Sequence, residues 1–168
     1  MQRIDSITDT YIPRGRRVPA LTDRQVSNVA KLILGHLKIK ANNRCDLILA
    51  LESMYGNTQF PLIFDVIEDE KWTFEGIAEA IWDPRDMCIS LPNSLYEKLT
   101  NGDVDALYVF LHEIGHCFLA HGLLLHRQSN SAQKKNEDAE VQADYFADSI
   151  LKYLKIENEK EGKQLQLF

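Results

Sequence analysis

The sequence predicts a single α+β domain, in which helices pack beside a small, mainly antiparallel sheet. A chain of 168 residues is long enough to bury one core. Apolar residues recur at helical spacing in several segments, and two β-rich runs flank a tight-turn sequence. We expect the domain to span residues 1–156, followed by a charged linker and C-terminal tail over residues 157–168.

The first half of the domain is predicted to contain two helices and three strands. Thr22 followed by Gln25 is a capping-box sequence and predicts a helix over about 22–38. A second helix is expected over 44–55 and a strand over 60–67. Residues 74–82 and 87–91 flank a proline-containing turn sequence, which predicts a hairpin.

The second half is predicted to be helical. A short helix is expected over 94–99, and a longer one over about 103–121 that Asn101 or Asp103 would cap and Gly122 would end. A polar connection follows, and the last helix is expected over about 137–156.

The predicted helix over 103–121 contains His112-Glu113-Ile114-Gly115-His116, the pattern HExxH. Helical residues four apart lie one turn apart and about 40° apart around the axis, so both imidazoles can reach one ion. Catalytic zinc needs three protein ligands and a water, together with a carboxylate that takes the water's proton. The pattern therefore predicts His112 and His116 as Zn²⁺ ligands and Glu113 as the general base.

A third ligand is expected after the motif. Glu140, on the next predicted helix, would reach the metal if the two helices pack antiparallel. Asp144 lies four residues later on the same face and would orient a ligand histidine by accepting its second ring N–H. The alternative third ligands are His126 and Glu137.

Two other interpretations of these residues stay open. His121 is about 140° round the helix from His116, so it would not face the same ion if the helix continued. The motif helix could also be a core helix with two hydrogen-bonded histidines. The acidic residues after 136 could likewise form a solvated first turn that the helix dipole favours.

The two helices together resemble the ImmA/IrrE family of metallopeptidases. The run Leu111-His112-Glu113-Ile114-Gly115-His116 is similar to that family's HE[IL]GH helix, and Glu140-Val141-Gln142-Ala143-Asp144-Tyr145-Phe146-Ala147 to its later E-x-x-A-[ND]-x-F-A helix. The resemblance covers about residues 45–155. It implies a zincin-like fold and a stand-alone zinc endopeptidase that cleaves one intracellular protein, such as a transcriptional repressor of a phage, mobile element or stress response.

Composition excludes some other classes of function. The net charge of −6 argues against nucleic-acid binding by the whole surface. Neither a signal peptide nor a membrane span is expected.

The chain has three widely spaced cysteines, Cys45, Cys88 and Cys117. This number and spacing fit reduced thiols better than a disulfide framework, so we expect a cytoplasmic protein. A basic cluster is interpreted as a solvated loop; it comprises Arg14, Arg16 and Arg17.

The tail, Gln164-Leu165-Gln166-Leu167-Phe168, resembles the bacterial sliding-clamp-binding motif QL[SD]LF at four of five positions. Four side chains are therefore candidate partner-binding residues: Gln164, Leu165, Leu167 and Phe168. The alternative is that this segment packs on the domain as a final strand. Two alternative functions follow: a metal-containing regulatory binding module without proteolysis, and a protease recruited to replicating DNA through the clamp.

Overall fold

The computed structural model describes residues 11–37, 49–50, 53, 62–74, 76–122 and 132–156. Within these residues the fold is mixed α/β, with four helices and a three-stranded sheet in the order β1-β3-β2, which agrees with the predicted α+β class. The helices are α1 (Asp23–His36), α2 (Asn93–Thr100), α3 (Val104–Phe118) and α4 (Ala139–Tyr153). The strands are β1 (Ile63–Ile67), β2 (Ile81–Asp83) and β3 (Cys88–Pro92).

Side-chain caps fix where three of the helices begin. Thr22 and Gln25 form the predicted capping box at the start of α1. Asp103 caps α3 by accepting a backbone N–H of its first turn at 2.8 Å. Asp138 caps α4 in the same way at 3.0 Å. These caps satisfy N–H groups that have no partner inside the helix.

The sheet is mixed, so the expectation of a mainly antiparallel sheet is wrong. β1 pairs with β3 in parallel over five residues, from Ile63↔Cys88 to Ile67↔Pro92. β2 pairs with β3 antiparallel over three residues. β3 lies in the centre, and its Ile89 and Leu91 side chains are fully buried. A hairpin sequence predicts only the pairing of neighbouring strands, so it did not predict the parallel pairing of β3 with β1.

The strand predicted to start at Phe74 is much shorter than expected. Gly76 has φ +75°, and the Ala78 N–H donates to the Phe74 carbonyl at 3.0 Å, so this segment is a turn. The Trp72 indole N–H donates to the Ala78 carbonyl at 3.2 Å and holds the turn. The strand therefore begins only at Ile81.

Helix α4 packs against both α1 and α3. The close approach of α3 and α4 depends on small residues, because a Cβ added to Gly115 would lie only 3.2 Å from the Ala143 Cα and 3.1 Å from the Phe146 ring. Phe146 is fully buried at this crossing. The crossing brings the first turns of α4 beside the HExxH segment of α3.

Several predicted elements lie outside the described residues. They include most of the helix expected over 44–55, the start of the strand expected over 60–67, most of the connection after Gly122, and the whole tail over 157–168. In the part of the chain that the structure describes, no helix combines the length and the apolar character needed to cross a membrane.

Candidate metal centre

Three side chains converge where α3 and α4 meet. A group of three side chains, His112, His116 and Glu140, could hold a metal ion, and we call it the ligand group. One ring nitrogen of each histidine and one carboxylate oxygen of Glu140 lie within 4.8 Å of one another. The two Nε2 atoms are 3.0 Å apart. Glu140 oxygens lie 3.2 Å from His112 Nε2 and 3.6 Å from His116 Nε2.

These separations are compatible with zinc. Ligand atoms at about 2.1 Å from a tetrahedral zinc are about 3.4 Å apart, close to the separations of 3.0, 3.2 and 3.6 Å in this group. Two imidazole nitrogens and a carboxylate oxygen are also a ligand set that zinc accepts at catalytic sites. The donor set and its spacing therefore fit this metal.

Asp144 fixes the orientation of His112. Its Oδ1 accepts a hydrogen bond from His112 Nδ1 at 2.8 Å, so Nδ1 carries a proton and Nε2 is the ring nitrogen that faces the group. Arg14 donates to the other oxygen of Asp144, and the Tyr108 hydroxyl also bonds this carboxylate. Burial raises the pKa of Asp144, but the bonds from His112 and Arg14 outweigh burial and lower it to about 2.

The surroundings favour the protonated form of one histidine and the neutral form of the other. Burial lowers the pKa of His112, but its bonds to Asp144 and Glu140 outweigh burial and raise it to about 9. Burial and the neighbouring His112 lower the pKa of His116 to about 4. The hydrogen bond from His112 lowers the pKa of Glu140. Without a metal, a proton on His112 supplies the positive charge between these groups.

Glu113 lies outside the ligand group but lines a cleft that His116 and Glu140 also line. Burial raises the pKa of its carboxyl to about 7, against the opposing effects of His112 and of a hydrogen bond from the Trp82 backbone N–H. Trp82 lies in β2, which is an edge strand of the described sheet. The edge strand therefore holds the carboxylate in place beside the ligands.

The helix carrying the motif ends earlier than predicted, which changes the position of His121. α3 ends at Phe118, with Leu119 as its C-cap, and Ala120 adopts a left-handed conformation with φ 56°. The chain then turns back, and His121 Nδ1 lies 2.9 Å from His116 Nδ1. His121 is buried behind His116 and, among the described residues, does not belong to the group that could hold a metal ion.

The segment over residues 11–17, called the first segment below, covers the first turn of α4. Asp138 is fully buried and accepts hydrogen bonds from the Tyr11 hydroxyl and from the backbone N–H groups of Arg14 and Gly15, at 2.6 to 3.2 Å. A Cβ added to Gly15 would lie 2.6 Å from the Glu140 Cγ. The segment therefore packs directly on the predicted third ligand.

The basic cluster lies in an irregular segment in which Arg14 and Arg16 are exposed, as expected for a solvated loop, but two of its three side chains also form ion pairs at this site. Arg14 forms an ion pair with Asp144, and Arg17 forms one with Glu137 at 2.6 Å. Glu137, the competing third ligand, is held by that pair and is not part of the ligand group.

A cleft of about 280 Å³ opens at the ligand group. Its walls come from the first segment of the chain, the backbone around β2, the end of α3 and the start of α4. The lining residues are Arg16, Ala78, Ala80, Ile81, Trp82, Pro84, Glu113, His116, His121, Ala139 and Glu140. The cleft thus offers a cation and the β2 edge beside the predicted ligands and base.

Sequence reasoning did not identify Arg16 as a site residue or Trp82 as a partner of Glu113, and it set His121 aside. An arginine in a proline-rich segment and a tryptophan in a strand give no signal of their own. His126 and the tail residues Gln164, Leu165, Leu167 and Phe168 lie outside the described residues.

Comparison with known proteins gives no match to this chain among protein-family models, curated proteins or solved structures.

Proposed function

We propose that the chain is a zinc-dependent endopeptidase, with His112, His116 and Glu140 as zinc ligands and Glu113 as general base. The observation that carries the proposal is the arrangement of Glu113 relative to the other three. Its carboxylate lines the same cleft but is not in the ligand group. A purely structural metal site closes its coordination with protein ligands and does not need a buried carboxylate beside it.

Zinc would activate the reacting groups, and Glu113 would move the proton. Zinc held by three protein ligands supplies Lewis-acid activation of water and of a peptide carbonyl. Glu113 accepts the proton of the attacking water and returns it to the amide nitrogen as the peptide bond breaks. Burial raises the pKa of this carboxyl to about 7 in the metal-free protein, and a neighbouring metal ion would lower it and favour the carboxylate form that accepts the proton.

Two further residues of the site support this chemistry, Asp144 and Arg16. Asp144 holds a proton on His112 Nδ1, so Nε2 would be the nitrogen of this ring that binds zinc. Arg16 provides a guanidinium on the cleft wall, and we assign it to binding a substrate carbonyl oxygen or carboxylate.

We assign substrate binding to the edge of β2. The Trp82 N–H faces Glu113 and so points away from β3, which leaves the outer side of this strand along the cleft. An extended peptide that adds to a strand edge is held by backbone hydrogen bonds, with little dependence on its sequence. A protein substrate with an exposed extended loop, such as the linker of a transcriptional repressor, fits this mode of binding.

A regulatory binding module without proteolysis is the second candidate. The observation that favours it is the same cleft and edge, which could hold an extended peptide without cutting it. Glu113→Gln separates the two candidates. A binding module would capture the same partner in both forms, whereas the protease would cut it only in the wild-type form.

Recruitment to a sliding clamp by Gln164, Leu165, Leu167 and Phe168 is a further proposal that rests on the tail sequence. Burial of two or three large apolar side chains would give about micromolar affinity after ordering costs. Clamp binding by the full chain and by a chain ending at Lys163 tests it directly. Equal binding by both, or binding by neither, would refute the proposal.

The experiment for the main proposal is a search for new protein N-termini. Zinc-loaded protein is incubated with an extract of cells from its own source, with and without a chelator, and new N-termini are identified by mass spectrometry. The proposal predicts cleavage of one or a few proteins that the chelator abolishes. Identical N-termini with and without the chelator would contradict it.

A further inference from the structure

His121 is held in place from three sides. Its backbone N–H donates to the His116 carbonyl at 2.9 Å, which closes the turn that follows α3. Its carbonyl accepts a hydrogen bond from the Trp82 indole at 3.2 Å. Gly122, with φ +116°, follows it, and a Cβ added there would lie 2.5 Å from Pro84. The imidazole is therefore fixed behind His116.

This turn is built at a cost. Ala120 occupies the left-handed position where glycine is preferred, which is unfavourable for a residue with a Cβ. A strained backbone persists when the surrounding structure requires it, and such residues cluster at functional sites. Here the strained residue directly precedes His121.

Gln142 determines which ring nitrogen of His121 carries the proton. The Gln142 amide nitrogen donates to two carbonyls, those of Pro19 and Asn136, each at 2.8 Å. This fixes the amide orientation, so that its oxygen faces His121 Nε2 at 3.0 Å. Because an amide oxygen only accepts, the proton of His121 lies on Nε2 and its Nδ1 is an acceptor.

The same reasoning continues to the ligand histidine. His121 Nδ1 lies 2.9 Å from His116 Nδ1, so the His116 atom is the donor and carries the ring proton. His116 Nε2 is then bare and points at His112 Nε2, 3.0 Å away. Gln142, His121 and His116 thus form one directed chain of hydrogen bonds that ends in a lone pair facing the ligand group.

We propose that His121 and Gln142 are positioning residues that set the tautomer of His116 and so prepare its Nε2 to bind the metal. The inference rests on the proposed zinc site but not on catalysis. His112 obtains the same tautomer from a carboxylate, Asp144. His116 obtains it from a neutral pair, so the second ligand is oriented without adding a further negative charge to the site.

The test compares His121→Phe with His121→Asn. Phenylalanine keeps a ring of similar size but accepts no hydrogen bond, whereas the asparagine Oδ1 can accept from His116 Nδ1 in place of the lost nitrogen. We expect zinc affinity, measured by competition with a chromophoric chelator, to fall about 10- to 100-fold in His121→Phe. His121→Asn should stay within a few fold of wild type.

A second measurement reports the tautomer without any metal. Proton–nitrogen NMR correlation spectra of the imidazole rings in the metal-free protein, recorded above pH 9 where His112 is neutral and does not donate to His116, should show His116 protonated at Nδ1 in wild type and His121→Asn, and at Nε2 in His121→Phe. If His121→Phe does not fold, Gln142→Met removes the acceptor of His121 Nε2–H and should disturb the tautomer and weaken zinc binding in the same direction.

Two results would overturn the inference. One is a His121→Phe protein that keeps both wild-type zinc affinity and the Nδ1 tautomer. The other is an equal loss of zinc affinity in His121→Phe and His121→Asn that matches their loss of metal-free stability, which would make the histidine merely structural. Neither readout depends on peptide cleavage, so an inactive wild-type protein would refute the proposed function and leave this inference standing.

Discussion

The Nδ1 atom of His112 on α3 lies 2.8 Å from the Oδ1 atom of Asp144 on α4. This contact links the helix that carries HExxH to the helix that carries Glu140. Since Asp144 and Glu140 are one turn apart on α4, a shift of that helix would move both at once. The ligand group therefore depends on the packing of α3 against α4 as much as on the motif.

The first prediction concerns metal content. Purified protein should contain about one zinc per chain, and both His116→Ala and Glu140→Ala should lose most of it, because each removes one of three ligands. Elemental analysis of dialysed protein provides the measurement. Unchanged zinc content in Glu140→Ala would remove this residue from the site and favour His126 or Glu137.

The second prediction tests the packing of the first segment on Glu140. Gly15→Ala places a Cβ 2.6 Å from the Glu140 Cγ, so either the carboxylate or the segment must move. We expect zinc affinity to fall about tenfold and the free energy of unfolding to fall by about 1–3 kcal/mol. Chelator competition and denaturant unfolding measure the two effects.

Gly35→Ala is the matched control for that prediction. No atom lies within 4 Å of the added Cβ, and Gly35 lies within α1. Alanine should therefore leave zinc affinity unchanged and raise the free energy of unfolding by up to about 1 kcal/mol, through its better helix propensity. Equal zinc affinity in both variants would show that Gly15 does not position Glu140.

Most of the ligand group follows from the sequence because it depends on local spacing. The four-residue separation of His112 and His116 and the Glu140–Asp144 pair are properties of single helices. His121 could not be placed, because its position depends on where α3 ends. The left-handed residue there is Ala120, which carries no sequence signal for a stop, whereas Gly122 suggested a later end. The role of Trp82 likewise depends on which strand lies at the sheet edge.

The third prediction follows from the raised pKa of Glu113 in the metal-free protein. The carboxyl ionises near 4.5 in the unfolded chain and near 7 in the folded one. Between these values the folded chain binds more protons, so stability falls as pH rises, and the full cost is present above pH 7. Glu113→Gln should remove that cost.

Denaturant unfolding in the presence of a chelator tests this dependence. Relative to wild type, Glu113→Gln should gain on the order of 2 kcal/mol more at pH 8 than at pH 4. Comparing the two proteins at each pH cancels the titration of the neighbouring histidines to first order. The same gain at both pH values would show that the carboxyl is not buried as described.

The fourth prediction tests substrate binding at the β2 edge. Ala80→Pro removes a backbone N–H next to β2 on the cleft wall, so a substrate strand would lose one hydrogen bond there. We expect kcat/KM to fall about fivefold, which corresponds to about 1 kcal/mol. Zinc content should not change.

Ala80→Ser, which keeps the N–H, is its control and should retain wild-type kcat/KM. Ala78 is a poorer position for this test, since its N–H already donates to Phe74 at 3.0 Å. A proline variant as active as the serine variant would place the substrate elsewhere.

The most direct measurement of the central claim is made on Glu113→Gln. Wild type and variant are loaded with zinc, their metal content is compared, and the rate of cleavage of the protein found in the N-terminus search is measured. We expect equal zinc content, because Glu113 is outside the ligand group, and a cleavage rate lower by about 10²- to 10⁴-fold, because the base is lost. Cleavage at the wild-type rate by the zinc-loaded variant would contradict the assignment of Glu113 as general base.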